Sequence, residues 1–121
     1  KLDKKIIIPA HPILKNNLNH TYNNIEFIEL LGYLDFINYL KCSKGAISDS
    51  GGIQCEASFL NVPLLTLRPT TEHLVTLERG NTLVNIDKDF IFQKNQHTDI
   101  PFIWDGNTSK RIVNIIENYD T

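Results

Sequence analysis

Two short apolar runs, "GAISD" at 45–49 and "PLLTLR" at 63–68, are joined by "GIQCEASFLN" at 52–61, a segment of helical character. This alternation constrains the fold strongly. A helix between two strands makes a crossover, and crossovers join parallel strands in a sheet that must be covered on both faces. The same alternation runs along the whole chain. Strands are expected at 5–10 ("KIIIPA"), 24–30 ("NIEFIEL"), 45–49, 63–68 and 81–86 ("NTLVNI"). Helices are expected at 13–20, 33–43, 52–61, 70–80, 87–96 and 108–119. Leu34, Ile37 and Leu40 recur at helical spacing within 33–43, with Phe36 beside them. Asn61 and Pro63 end the helix at 52–61, and Thr70 or Thr71 offers a cap for the helix at 70–80, which Gly80 ends. The expected class is therefore α/β: a Rossmann-like parallel sheet with helices on both faces, formed as a single domain over residues 1–121, a length sufficient for a core of its own.

Charge narrows the function. A formal net charge of −2, with 21% charged residues, gives no basic face for nucleic acid or an anionic membrane. The apolar runs are too short to span a bilayer. Cys42 and Cys55 have no metal-type spacing and read as free thiols of a reducing, cytoplasmic compartment. The four histidines, His11, His20, His73 and His97, show no metal-ligand spacing either, so no metal is expected. The sequence contains no Met, which suggests the C-terminal piece of a longer protein; a small protein that has lost its initiator Met is the alternative.

In open parallel sheets ligands sit outside the carboxyl ends of the strands. Here that rule points to "SDSGGIQCE" at 48–56. Free N–H groups at a helix start, aided by the helix dipole, attract an anion, and Ser50, Gly51 and Gly52 fall at such a start. Glycines let a bulky anion reach the backbone. Glu56, four residues beyond Gly52, would repel a phosphate in direct contact but suits a pair of sugar hydroxyls a few ångströms away. A nucleotide with phosphate at the turn and ribose at Glu56 is one reading. The other is purely structural: Asp49 and Ser50 cap the helix, the glycines make a tight turn, and Glu56 is solvated. The spacing matches neither a P-loop nor a dinucleotide fingerprint nor a nucleophile elbow. Around this rim, His11, Arg68 and His73 are candidate ligand contacts or ordinary surface residues, and Phe36 is a base-stacking or a core residue. Trp104 is expected to anchor the last helix against the core.

The residues also carry a resemblance. The run from 30 to 84, "LLGYLDFINYLKCSKGAISDSGGIQCEASFLNVPLLTLRPTTEHLVTLERGNTLV", resembles the C-terminal half of the non-hydrolysing UDP-N-acetylglucosamine 2-epimerases. "IIPAHP" before it and "WDGNTSKRIVNII" after it are similar to family segments in the same order. The resemblance implies half of a glycosyltransferase-B type fold, whose active site lies in a cleft between two Rossmann-like domains. It implies an isomerase that interconverts UDP-GlcNAc and UDP-ManNAc by eliminating UDP and adding it back. It assigns the diphosphate to Ser50, Gly51 and Gly52, the ribose to Glu56, and the uracil side to Leu31 and Phe36, Leu31 acting through its backbone. It also implies an N-terminal Rossmann-like domain that carries the acid/base carboxylates, so that none of the catalytic residues lies in this chain, and a homodimeric assembly. The fragment alone is then expected to be inactive. Two positions depart from the family pattern: Cys55 stands where a Glu is usual, and His73 where an Arg contacts the nucleotide, making His73 a candidate phosphate contact. The alternatives are a nucleotide-sugar-binding domain of a glycosyltransferase of the same fold type, or a non-catalytic remnant module.

Overall fold

The computed structural model describes residues 4–10, 23–85 and 104–119. The helices expected at 13–20 and 87–96, together with His11, His20 and His97, lie outside the described residues. The chain divides into two compact units, Lys1–Tyr39 and Leu40–Thr121.

In the first unit β1 (Ile6–Pro9) pairs in parallel with β2 (Ile25–Ile28), Ile6 opposite Ile25 and Pro9 opposite Ile28. The β-branched run of β1 favours this extended pairing. Pro9 cannot donate to the ladder, and it stands at the strand's last position. Helix α1 (Tyr33–Cys42) follows, with Asp35 in its first turn and Lys41 in its last, as the helix dipole favours. Within α1, Leu40 is buried, Ile37 and Phe36 are half-buried, and Leu34 is 74% exposed. The expected apolar stripe is thus narrower than the spacing implies.

The second unit is built on a parallel sheet ordered β3-β4-β5 (Ala46–Ser48, Leu64–Thr66, Asn81–Leu83). The register sets Ser48 opposite Thr66 and Thr66 opposite Leu83. The central strand β4 is buried along its whole length, as expected where a parallel sheet is covered on both faces. Leu64, Leu65, Ala57 and Val62 form the apolar core. Between β3 and β4, α2 spans Gly51–Phe59. Its end is a Schellman motif. Asn61 takes φ 63°, its N–H donates to the Ser58 carbonyl, and the Val62 N–H donates to the Ala57 carbonyl. Asparagine is among the few side chains that adopt this left-handed backbone without a large penalty, so the expected stop signal at Asn61 acts through its conformation.

One element differs in kind. The segment expected as an α-helix over 70–80 is a 3₁₀ helix, Leu74–Arg79, and neither Thr70 nor Thr71 caps it. Thr71 instead accepts the His73 N–H and donates its hydroxyl to Gln54, which holds residues 71–73 out of the helix. Gly80 ends the helix at φ 82°, where a Cβ would be strained.

Helix α3 (Thr108–Glu117) is preceded by a turn built on Asp105. The Asp105 carboxylate accepts the Asn107 N–H and both its oxygens accept from Arg111 at 2.9 Å. The Asn107 N–H, and after it the Arg111 guanidinium, hold this carboxyl below the usual carboxylate range. A depressed pKa stabilises the turn above that range and ceases to do so as pH falls through the folded value. The Asn107 amide resonance should therefore stay constant down through ordinary carboxylate titration and move only at lower pH; a midpoint at the ordinary carboxylate value would contradict it. Trp104 is half-buried, but Ile112, Val113, Ile115 and Ile116 of α3 are all at least half-exposed, so the expected seating of this helix on a core is not seen among the described residues. No helix among the described residues is long and apolar enough to cross a membrane.

Candidate functional site

The carboxyl edge of the β3-β4-β5 sheet carries the segment 48–56. Ser48 closes β3; its carbonyl accepts the Leu67 N–H and its hydroxyl accepts the Ser50 N–H. Ser50 is the N-cap of α2 in extended conformation, yet its side chain makes no capping hydrogen bond. Its hydroxyl and the first N–H groups of α2 thus share an exposed helix start, where the dipole favours negative charge. Of the structural reading, Ser50 does take the N-cap position, but without the side-chain bond a cap would add.

Gly51 and Gly52 are the first two residues of α2, and neither has a positive φ. A tight turn is therefore not the reason for either glycine. For Gly51 the reason lies in the protein. A Cβ there would stand 3.0 Å from Glu72 Oε1 and 3.3 Å from His73 Nε2. For Gly52 no such reason exists among the described residues: a Cβ would meet only Ser50 Oγ, at 3.9 Å, and the position is exposed. One glycine makes room for the segment at 72–73; the other opens onto solvent.

Glu56 is half-buried one turn further along α2, and Cys55 precedes it. The Cys55 Sγ lies 3.5 Å from His73 Nδ1. The two positions that depart from the family pattern are therefore in contact with each other. His73 Nε2 lies 3.6 Å from Glu72 Oε1, and Glu72 pairs with Arg68 at 3.2 Å. Glu72 is an exposed carboxyl held below the usual range, first by its own backbone N–H, then by Arg68 and His73. Cys55, Glu72, His73 and Arg68 thus form one linked group beside Gly51. Both cysteines are free thiols. Leu31 and Phe36, the residues expected on the uracil side, are half-buried in the first unit.

A buried polar ring fixes the backbone of His73, and sequence reasoning did not anticipate it. The His73 N–H donates to the Thr71 hydroxyl, which donates to Gln54 Oε1. Asn81 Nδ2 donates both to Gln54 Oε1 at 3.1 Å and to the Thr76 hydroxyl at 2.8 Å. The Thr76 hydroxyl donates back to the His73 carbonyl at 2.7 Å, closing the ring. Thr66 adds a bond from its hydroxyl to Asn81 Oδ1. Gln54, Thr66, Thr76 and Asn81 are at most 3% exposed, so the ring is sheltered from competition by water. The available signal was the polar residues set into apolar segments: Thr66 within "PLLTLR", Asn81 opening a strand, and Gln54 on the inner face of α2. No group of three or more His, Cys, Asp or Glu side chains able to hold a metal occurs among the described residues.

Residues 1–117 match the family model described as UDP-N-acetylglucosamine 2-epimerase. The chain belongs to this family. A UDP-N-acetylglucosamine 2-epimerase of Methanococcus maripaludis is 41% identical over 96% of the chain, and one of Bacillus subtilis is 31% identical over 92%. Among solved structures, the Methanocaldococcus jannaschii UDP-GlcNAc 2-epimerase in complex with UDP-GlcNAc and UDP is similar with a TM-score of 0.66 at 31% identity, over 95% of this chain and 36% of that one. The S. aureus MnaA–UDP co-structure is similar with a TM-score of 0.67 at 29% identity, again over 95% and 36%. The fold is accordingly the α/β class expected, a parallel-stranded part of these epimerases. The chain spans about a third of the length of the relatives it matches, 36% for the M. maripaludis and 34% for the B. subtilis proteins.

Proposed function

We propose that this chain is the UDP-binding, C-terminal domain of a UDP-GlcNAc 2-epimerase that interconverts UDP-GlcNAc and UDP-ManNAc by eliminating UDP and adding it back. The observation that carries this reading is the exposed start of α2, where no described residue gives Gly52 a reason to be glycine and the Ser50 hydroxyl makes no cap bond. Membership of the family, and a similar enzyme solved with UDP-GlcNAc and UDP, supply the ligand class.

In this reading the diphosphate lies against Ser50 and the N–H groups of Gly51 and Gly52, where aligned amides offset its charge. Glu56 accepts the ribose hydroxyls one helical turn away, far enough not to oppose the phosphates directly. His73 offers a donor beside Gly51. The domain binds and orients the leaving nucleotide but supplies no proton-transferring group. Those groups belong to an N-terminal Rossmann-like domain of the active protein, which is read as a cytoplasmic homodimer. No metal or further cofactor is needed, because the departing UDP is stabilised by backbone amides and side-chain donors.

The test is a UDP titration followed by amide resonances. Shifts should centre on Gly51 and Gly52. Glu56→Ala should weaken UDP about tenfold or more, the worth of hydrogen bonds to a charged group. Shifts centred on another part of the chain, or an unchanged affinity in Glu56→Ala, would remove the site.

A further inference from the structure

Cys55 takes no part in the proposed nucleotide contacts, yet it touches His73, a residue whose backbone is held at both ends. His73 is fixed through its N–H by Thr71 and through its carbonyl by Thr76. Its ring then has two polar faces. Nδ1 meets the Cys55 sulfur at 3.5 Å, a distance suited to a hydrogen bond involving sulfur. Nε2 meets the Glu72 carboxylate at 3.6 Å and stands 3.3 Å from where a Gly51 Cβ would be.

These two neighbours make different demands on the ring. A carboxylate beside Nε2 is favourable only if that nitrogen carries hydrogen. A neutral imidazole has one N–H, so Nδ1 must then be the acceptor, and the group facing it must donate. Cys55 is the side chain in place to do so. We propose that Cys55 is a positioning residue: its thiol donates to His73 Nδ1, holds the ring in its Nε2–H tautomer, and so presents a neutral N–H beside the start of α2.

The thiol is suited to the task. Burial, and after it the Glu56 and Glu72 carboxylates, push the Cys55 thiol up, so the sulfur keeps its proton through neutral pH. The charged groups around the pair are those two carboxylates and Arg68, which is paired with Glu72. A ring nitrogen's role set by the hydrogen bond made by the other nitrogen is the general behaviour of functional histidines. The inference rests on the reading of His73 as a phosphate contact, and it gives that contact a fixed donor without requiring a charged ring.

Nitrogen-15 spectra of the histidine rings in the full chain test it, with the His73 signals assigned by their loss in His73→Phe. In UDP-free protein at slightly alkaline pH, His73 should be the neutral Nε2–H tautomer. Cys55→Ser, which retains a donor, should preserve that state. Cys55→Val, similar in volume but without a donor, should let the Nδ1–H form appear and weaken UDP about fivefold, the worth of one neutral hydrogen bond. Cys55→Ala should behave as Cys55→Val does and serves if the valine variant does not fold. An Nδ1–H tautomer in the parent protein would overturn the proposal. So would a valine variant with the parent's ring spectrum, or one with the parent's UDP affinity. The tautomer is read without ligand, so a failure of UDP binding is distinguishable from a failure of the thiol's role.

Discussion

Replacing Asn81 with alanine should destabilise the chain by about 2–4 kcal/mol, because it breaks a sheltered hydrogen-bond ring at its branch point. Asn81 is 3% exposed and makes bonds to Gln54, Thr76 and Thr66. Without it the Thr66 hydroxyl, on a residue 0% exposed, loses its acceptor, and Gln54 Oε1 retains only the Thr71 bond. Leaving a buried polar group unpaired costs more than the bond itself is worth. Asn81→Asp is the sharper companion. It is nearly isosteric and still accepts from Thr66, but it turns an oxygen towards the Gln54 carbonyl and buries a charge, so it should cost at least as much. Urea unfolding monitored by circular dichroism measures both. A loss below about 0.5 kcal/mol in each, the range of ordinary surface changes, would mean that the ring does not hold this unit together.

Much of this architecture can be read in the chain. The strands are short β-branched or apolar runs, and the five among the described residues all lie within the expected segments. Helix α2 begins at the paired glycines and stops at Phe59, two residues before the left-handed Asn61, because both signals act locally on the backbone. Local signals also mislead. Thr70 and Thr71 have the chemistry of caps, but the Thr71 hydroxyl is drawn to Gln54, a residue 17 positions away, and the helix that follows starts later and winds tighter. Leu34 has the right spacing for a core face and is nonetheless exposed. The site divides in the same way. Ser50, Gly51, Gly52 and Glu56 are neighbours in the chain, so their placement on one helix start follows from the helix alone. The contact between Cys55 and His73 spans 18 positions, and the bond between Gln54 and Asn81 spans 27. Both depend on how β3, β4 and β5 pair, which no local pattern specifies.

Gly52 carries the second large effect. Alanine at this position needs no left-handed backbone and meets only Ser50 Oγ at 3.9 Å, so nothing described in the protein resists it. Glycine within a helix is less stable than alanine by roughly 0.5–1 kcal/mol, mostly through the unfolded chain's greater freedom. Gly52→Ala should therefore leave the chain as stable as before or more so. A diphosphate seated on the α2 amides would meet the new methyl group directly and lose charge-assisted bonds to two N–H groups, so UDP affinity should fall by about a hundredfold or more. Stability and binding then move in opposite directions, which a purely structural glycine cannot produce. Gly51→Ala is a less clean probe, because its methyl group would press on Glu72 and His73 with or without ligand.

The decisive measurement is UDP binding by calorimetry to the parent chain and to Gly52→Ala, with a thermal melt of each. The account predicts an unchanged or raised melting temperature for Gly52→Ala and a loss of UDP binding. Equal UDP affinity in the two proteins would contradict it, since the phosphates would then lie away from the start of α2.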